Sequence, residues 1–291
     1  MQLKGPALVM LAAFLWGVSG GIGGLLMTHG WSPLVVTFYR GAVGLACILL
    51  WWALHRLAGG SQRVGGRHHW PWSVLAGLGV AGNLTFYAIA IDRTSVAVAA
   101  TLMYTAPIYV LLAAFLAGRE RADWGKAAAI ALVLLGVALL TGLLDGGASD
   151  ITAVGVAAGI ASALSYTLFI LAFQNAAARG TVPTTLAIAF ATFVIVLALL
   201  VDRTRVMAAL HSADLGGFLL LGFFGVGLSF AVYLPGLRRT PASLASMIAM
   251  VEPVTASLFG LLVLGETLGL SQWLGMAMIV ITVTTLSVRR H

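Results

Sequence analysis

Apolar runs of about twenty residues, parted by short polar breaks, follow one another along the whole chain. The hydrocarbon core of a bilayer takes about 20 residues of helix. By that measure the pattern predicts ten spans, at roughly 5–27, 34–54, 72–91, 95–117, 124–143, 153–173, 184–201, 214–234, 241–264 and 270–288. The breaks carry the residues that end helices. They are His29-Gly30-Trp31-Ser32-Pro33, Arg56 to His69, Asp92-Arg93, Gly118 to Asp123, Asp145 to Asp150, Arg179 to Pro183, Asp202 to His211, Arg238-Arg239 and Gly265-Glu266. No break is long enough for a soluble domain. The predicted fold class is an all-α integral membrane protein whose function lies within the membrane.

The pattern also repeats. Arg93-Thr94, Pro107 and Glu120 recur as Arg239-Thr240, Pro253 and Glu266, about 146 positions on, and Gly5, Gly30 and Pro33 recur as Gly155, Gly180 and Pro183, about 150 on. The chain therefore divides into five-helix halves at 1–143 and 144–291. An odd number of spans per half makes the second enter from the opposite side, an inverted repeat with its substrate site between the halves. Basic residues gather on cytoplasmic loops. Lys4, Arg56, Arg63, Arg67, Arg119, Arg121, Lys126, Arg179, Arg238, Arg239, Arg289 and Arg290 fall on one side, against Arg93, Arg203 and Arg205 on the other. Both termini are expected in the cytoplasm.

Composition narrows the class further. The chain is 60% hydrophobic and 9% charged, whereas a soluble domain carries about 25% charged residues to wet its surface. Its 16 Lys+Arg against 9 Asp+Glu form no basic face, so nucleic acid is not an expected partner. Cys47 is the single cysteine, which rules out an intrachain disulfide or thiolate metal cluster. The first apolar run is longer than a signal-peptide core and lacks a clear cleavage site, so it is read as a retained span. No metal-binding, nucleotide-binding or nucleophile motif occurs, so no cofactor and no enzymatic activity are expected.

Polar groups at membrane depth mark candidate sites. Glu252, deep in the ninth span, is read either as a ligand for a substrate ammonium or a proton, or as a carboxyl tying helices together. Its repeat counterpart is Ala106. Pro107 and Pro253, mid-span in both halves, remove backbone donors and are candidate hinges, freeing carbonyls at Met103 and Ala249. Arg40 reads as a snorkelling anchor or clamp, or as a partner for a substrate carboxylate. Trp16, Ser19, Asn83, Tyr87, Thr101, Tyr104, Ser165, Tyr166, Phe169, Ser229, Tyr233, Met247 and Met250 are candidate substrate-binding residues, several at helical i+3 or i+4 spacing. Phe230 belongs with them. A cavity so lined suits a small amphipathic molecule. Trp51, Trp52, Trp70 and Trp72 flank the basic loop as interface-belt residues.

Ten spans in two halves, Trp16-Gly17, Arg40, and Glu252-Pro253 followed by Gly265-Glu266 resemble the drug/metabolite transporter superfamily, and within it the EamA-type exporters. The bacterial aromatic amino acid exporter branch is the most similar. This resemblance implies an inner-membrane secondary carrier moving amino acids or related metabolites outward by alternating access. It also implies a central cavity lined by spans one, three, four, six, eight and nine, small-molecule substrates, a lipid surround and a monomer. Ala106-Pro107 departs from Glu252-Pro253, leaving a paired-carboxylate coupling scheme without support. The alternatives are a multidrug or cationic-metabolite exporter of the same fold, a passive channel and a membrane-embedded enzyme.

Overall fold

The computed structural model describes residues 5–59, 66, 68–120, 123–143 and 151–288. Lys4, Arg63, Arg67, Arg121, Asp145, Asp150, Arg289 and Arg290, used above to assign sides and breaks, lie outside them. The described residues fold as fourteen α-helices and two π-helical segments, with no strand among them.

The first half comprises α1 (Gly5–Thr28), α2 (Pro33–Leu57), α3 (His69–Arg93), α4 (Val96–Met103), α5 (Ala106–Leu116) and α6 (Trp124–Leu140). In the second half are α7 (Ala153–Ala177), α8 (Val182–Ala198), α9 (Arg203–Leu210), α10 (Leu215–Gly222), α11 (Ser229–Leu237), α12 (Ala242–Ile248), α13 (Val251–Phe259) and α14 (Leu270–Val288). The π-helical segments are Phe223–Leu228, joining α10 to α11, and Gly260–Leu264, after α13.

Polar residues in the breaks start the helices by capping free amides. Ser32 accepts from Val35 N at 3.5 Å, with Pro33 opening α2, and Ser95 accepts from Val98 N at 3.2 Å. Thr152 and Asp202 do the same for Gly155 and Thr204, at 3.1 and 2.9 Å.

Among the described residues, seven helical stretches are long and apolar enough to cross a membrane: α1, α2, α3, α7, and the runs Val96–Leu116, Leu215–Leu237 and Ala242–Leu264. The expected span at 184–201 is α8, which turns through 115° at the Asp202 cap into α9, a helix lying within the expected break at 202–211. Counted as one, that pair makes an eighth. The two remaining expected spans are shorter apolar helices, Trp124–Leu140 and Leu270–Leu286.

Helices of one half pack on those of the other. α1 lies against α11 and α13, α7 against α3 and α4, α2 against α8, and α6 against α14. The contacts at two glycines are reciprocal. A Cβ on Gly5 would stand 2.7 Å from Thr240 Oγ1, and one on Gly155 would stand 2.8 Å from the Arg93 carbonyl oxygen and 2.5 Å from Thr94 Cγ2. The repeated Arg-Thr pairs thus each receive the first turn of the other half's first helix, which only glycine fits.

Candidate functional site

Both proline-bearing runs break before their prolines. α4 ends at Met103, Tyr104 and Thr105 form a turn, and α5 begins with Pro107 in its first turn. Likewise α12 ends at Ile248, Ala249 and Met250 turn, and α13 begins with Pro253 in its first turn. One expected consequence fails: the Ala249 carbonyl is not free, because it accepts the Glu252 amide at 2.9 Å. The turn re-forms a tighter hydrogen bond in place of the one proline removes. These breaks aim Tyr104 and Glu252 into a shared space.

That space is a central cavity of about 610 Å³. Of the expected residues, it brings together Trp16, Asn83, Tyr87, Tyr104, Tyr166, Phe169 and Glu252, with Phe230 beside them. Met27, Pro33, Ile91, Val96, Leu264 and Glu266 also line it, so it extends toward the end that carries the breaks at 28–33, 92–95 and 265–269.

One wall is aromatic. Trp16 stacks on Phe230 and Tyr233 with ring centroids 5.1 and 4.8 Å apart, and Phe169 meets Trp16 edge-on at 6.4 Å and Tyr166 at 4.5 Å. Tilted and edge-on pairs of this kind hold the rings against one another beside the cavity. Asn83 is fixed in the wall by Ser162, donating to its carbonyl at 3.2 Å and its hydroxyl at 3.0 Å.

The other expected residues occupy packing positions. Ser19 donates to the Leu221 carbonyl at 3.2 Å, and Thr101 pairs with Thr141 at 2.9 Å. Ser165 faces Gly82, and Ser229, Tyr233, Met247 and Met250 are buried between helices. Pro107 and Pro253 are buried at the breaks.

Cavity residues outside the expected binding set include Arg40, Phe193, Ser257 and Glu266. Arg40 is the most consequential. Its Nη2 donates to the Ser19 carbonyl at 3.4 Å, and its buried Nε has no partner. Gly225, in the π-helical turn, leaves room for it, since a Cβ there would stand 3.1 Å from Arg40 Cγ. Such turns put an extra residue into a helix and recur at functional sites. Arg40 and Glu252 are within electrostatic reach of each other, yet no ion pair joins them among the described residues. The cavity also has a buried indole N–H on Trp16 and a buried hydroxyl on Tyr166 without protein partners. Buried polar atoms are nearly always bonded, which sets these two groups apart among the residues around the cavity.

The opposite end is sealed. Glu120, in the turn after α5, accepts from the backbone N of Ser243 at 3.2 Å, and from the Ser243 hydroxyl and the Lys126 ammonium. Burial pushes its carboxyl up, but the hydrogen bonds from Lys126 and Ser243 outweigh that and hold it below the usual range. Beside this seal, Arg119 and Arg179 both donate to Asn175 Oδ1, at 3.0 and 3.3 Å. Among the described residues no three His, Cys, Asp or Glu side chains are grouped to hold a metal ion.

A polytopic helical bundle around a polar-and-aromatic cavity, closed at one end, is the architecture of a membrane transporter. The chain belongs to the EamA-like transporter family, whose family model matches residues 3–142 and 153–288. It is 30% identical to the uncharacterized transporter YwfM of Bacillus subtilis strain 168, over 96% of this chain and 92% of that protein. An uncharacterized transporter of Archaeoglobus fulgidus is also 30% identical, over 94% and 93% of the two chains. The uncharacterized inner membrane transporter YicL of Salmonella typhimurium is 27% identical, over 98% and 95%. A crystal structure of a protein 21% identical superposes with a TM-score of 0.75 over 98% of each chain, a likeness of fold. The chain is a multi-pass membrane transporter.

Proposed function

We propose that this transporter is a secondary carrier exporting amino acids with aromatic or other apolar side chains across a bacterial inner membrane by alternating access. The observation that carries the proposal is the unpaired opposition of Arg40 and Glu252 across an aromatic-walled cavity. A guanidinium and a carboxylate facing one space without meeting match the two charges of a zwitterion. The amino acid's carboxylate would take Arg40 and the Trp16 N–H, and its ammonium Glu252. Its side chain would lie on Trp16, Phe169 and Phe230.

The topology proposed is ten spans in two inverted halves, 1–143 and 144–291, with both termini cytoplasmic. The loop charges support it, as do the reciprocal glycine contacts and the two separate stretches matched by the family model. The cavity then faces the periplasm, and the Glu120 seal faces the cytoplasm. YicL is named an inner membrane transporter, which supports the same placement.

A second reading, export of cationic drugs or metabolites, is favoured by Glu252 lying within electrostatic reach of Tyr87, Tyr104 and Tyr166. A carboxylate among aromatic faces suits a cation. Counterflow in proteoliposomes separates the two. Saturable exchange of labelled phenylalanine, with phenethylamine and phenylpropionate each competing weakly, supports the amino acid. Phenethylamine competing as well as phenylalanine transfers the assignment to cations.

A further inference from the structure

The repeated glutamates Glu120 and Glu266 do different things in this structure. Glu120 joins the halves across 123 positions of sequence, from the turn after α5 to the first turn of α12. The contact is largely buried: the Glu120 side chain is 9% exposed, Lys126 is 13% exposed, and Ser243 is fully buried. Glu266 sits at the open end. It follows the left-handed Gly265 (φ 71°), its amide donates to the Gly260 carbonyl at 3.1 Å, and its carboxylate lies against Gly260 on the cavity edge. It is exposed and makes no ion pair among the described residues.

The same 146-position offset that relates the two glutamates carries Ser243 back to Ala97, in the first turn of α4, and Lys126 forward to Gln272. Both partner positions of Glu266 therefore exist: Ala97 follows the cavity-lining Val96, and Gln272 lies in the first turn of α14. We propose that Glu120 and Glu266 are alternate latches. Glu120 on Ser243 holds one end shut while the cavity is open, and Glu266 on the Ala97 amide holds the other end shut when Glu120 has let go.

The two latches are unequal. Ala97 offers an amide without the hydroxyl of Ser243, and Gln272 supplies no charge. Gln272 is also engaged elsewhere, accepting from Gly269 N at 2.9 Å and donating to the Leu140 carbonyl at 3.2 Å. Hydrogen bonds to a carboxylate are charge-assisted and strong; Glu120 receives three such donors and Glu266 would receive one, so the Glu120 latch wins. The protein without substrate rests with the Glu120 end shut. A two-state equilibrium of this kind shifts by whatever differential interaction is added or removed.

This inference rests on the alternating-access reading but not on any substrate, so its test uses none. In a Cys47→Ser background, single reporters Ser257→Cys, in the cavity wall, and Ser246→Cys, fully buried on α12, are labelled with a water-soluble maleimide in detergent. Glu120→Gln should slow labelling at 257 and speed it at 246, each about tenfold, as loss of one charge-assisted bond implies. Gln272→Lys, which removes nothing from the existing latch, should move both rates in the same directions by supplying the missing charge to Glu266. Adding Glu266→Gln to Gln272→Lys should restore the original rates. Unchanged rates at both reporters in Gln272→Lys, in protein whose melting temperature is intact, overturn the proposal even if Glu120→Gln misfolds. Shifted labelling without counterflow of any amino acid leaves the latches standing and removes the substrate assignment instead.

Discussion

Gly17 and Glu252 meet backbone to backbone: a Cβ on Gly17 would stand 2.6 Å from the Glu252 carbonyl oxygen and 3.0 Å from the Ala256 amide nitrogen. Helix α1 therefore presses directly on the helix that presents the cavity carboxylate. Close approach through small residues is how membrane helices gain contact without a hydrophobic driving force.

Gly17→Ala should force α13 away from α1. An overpacked methyl group costs about 1–3 kcal/mol, and the cost should appear as a lowered melting temperature in detergent. Gly24→Ala is the control, since nothing lies within 4 Å of its added Cβ. It should be neutral or slightly stabilising, because alanine is the better helix former. Equal melting of the two variants would show that the Gly17 contact does not need glycine.

Glu252→Gln should weaken phenylalanine binding by about 2 kcal/mol, roughly thirtyfold, the scale for losing one partner of a buried charge pair. Phenylpropionate, which has no ammonium, should bind unchanged. Arg40→Gln should show the converse, sparing phenethylamine. Isothermal titration of the purified protein measures all of these. Equal losses for all three ligands would mean that the charges shape the cavity and do not read the substrate.

Much of this site was legible in the sequence, and the exceptions have physical causes. Trp16, Tyr87, Tyr104, Tyr166 and Glu252 stood out because a bulky polar group inside an apolar run has few reasons to be there. The hydroxyl residues misled because Ser and Thr also bond helices together, as Ser19 and Thr101 do here. Repeat symmetry misled at Tyr233: its counterpart Tyr87 borders the cavity, whereas Tyr233 is fully buried under Trp16. A half closed at one end cannot place equivalent residues equivalently. Arg40 read as an anchor because two turns from a helix start is within snorkelling reach. Its cavity position depends on the π-helical turn at Gly225, which leaves no mark in hydrophobic periodicity. The bend between α8 and α9 was visible only as Asp202, a capping residue at the end of an expected span.

Asp214 tests the open rim. It accepts from Trp31 Nε1 and pairs with His29 Nδ1, both at 2.7 Å, tying the α1–α2 turn to the start of α10. The Trp31 hydrogen bond, then that of His29, holds its carboxyl below the usual 3.8. A depressed folded value means that the contribution is complete above the ordinary carboxylate value and is lost as pH falls through the folded one. Asp214→Asn should therefore melt below wild type at pH 7, and the gap should close only in strong acid, below pH 3.8. A gap that persists unchanged in strong acid would show that the Asp214 charge does not tie the turn.

Pro107→Ala and Pro253→Ala should slow exchange while leaving binding nearly intact. With the amide restored, a continuous helix can form across Tyr104-Thr105 or Ala249-Met250, and a straight helix resists the bending that exchange requires. Stopped-flow counterflow beside equilibrium binding separates the two quantities. Unchanged flux in both variants would make the breaks fixed features of packing.

The seating of Gly5 on Thr240, mirrored by Gly155 on Thr94, sets a timetable for assembly. A ribosome has made most of the chain before the first helix meets the surface that receives its opening turn. Until then the earliest segment has only lipid and its nearest neighbours for company. Neither half can finish itself; each first helix seats its opening turn on a surface that the other half carries.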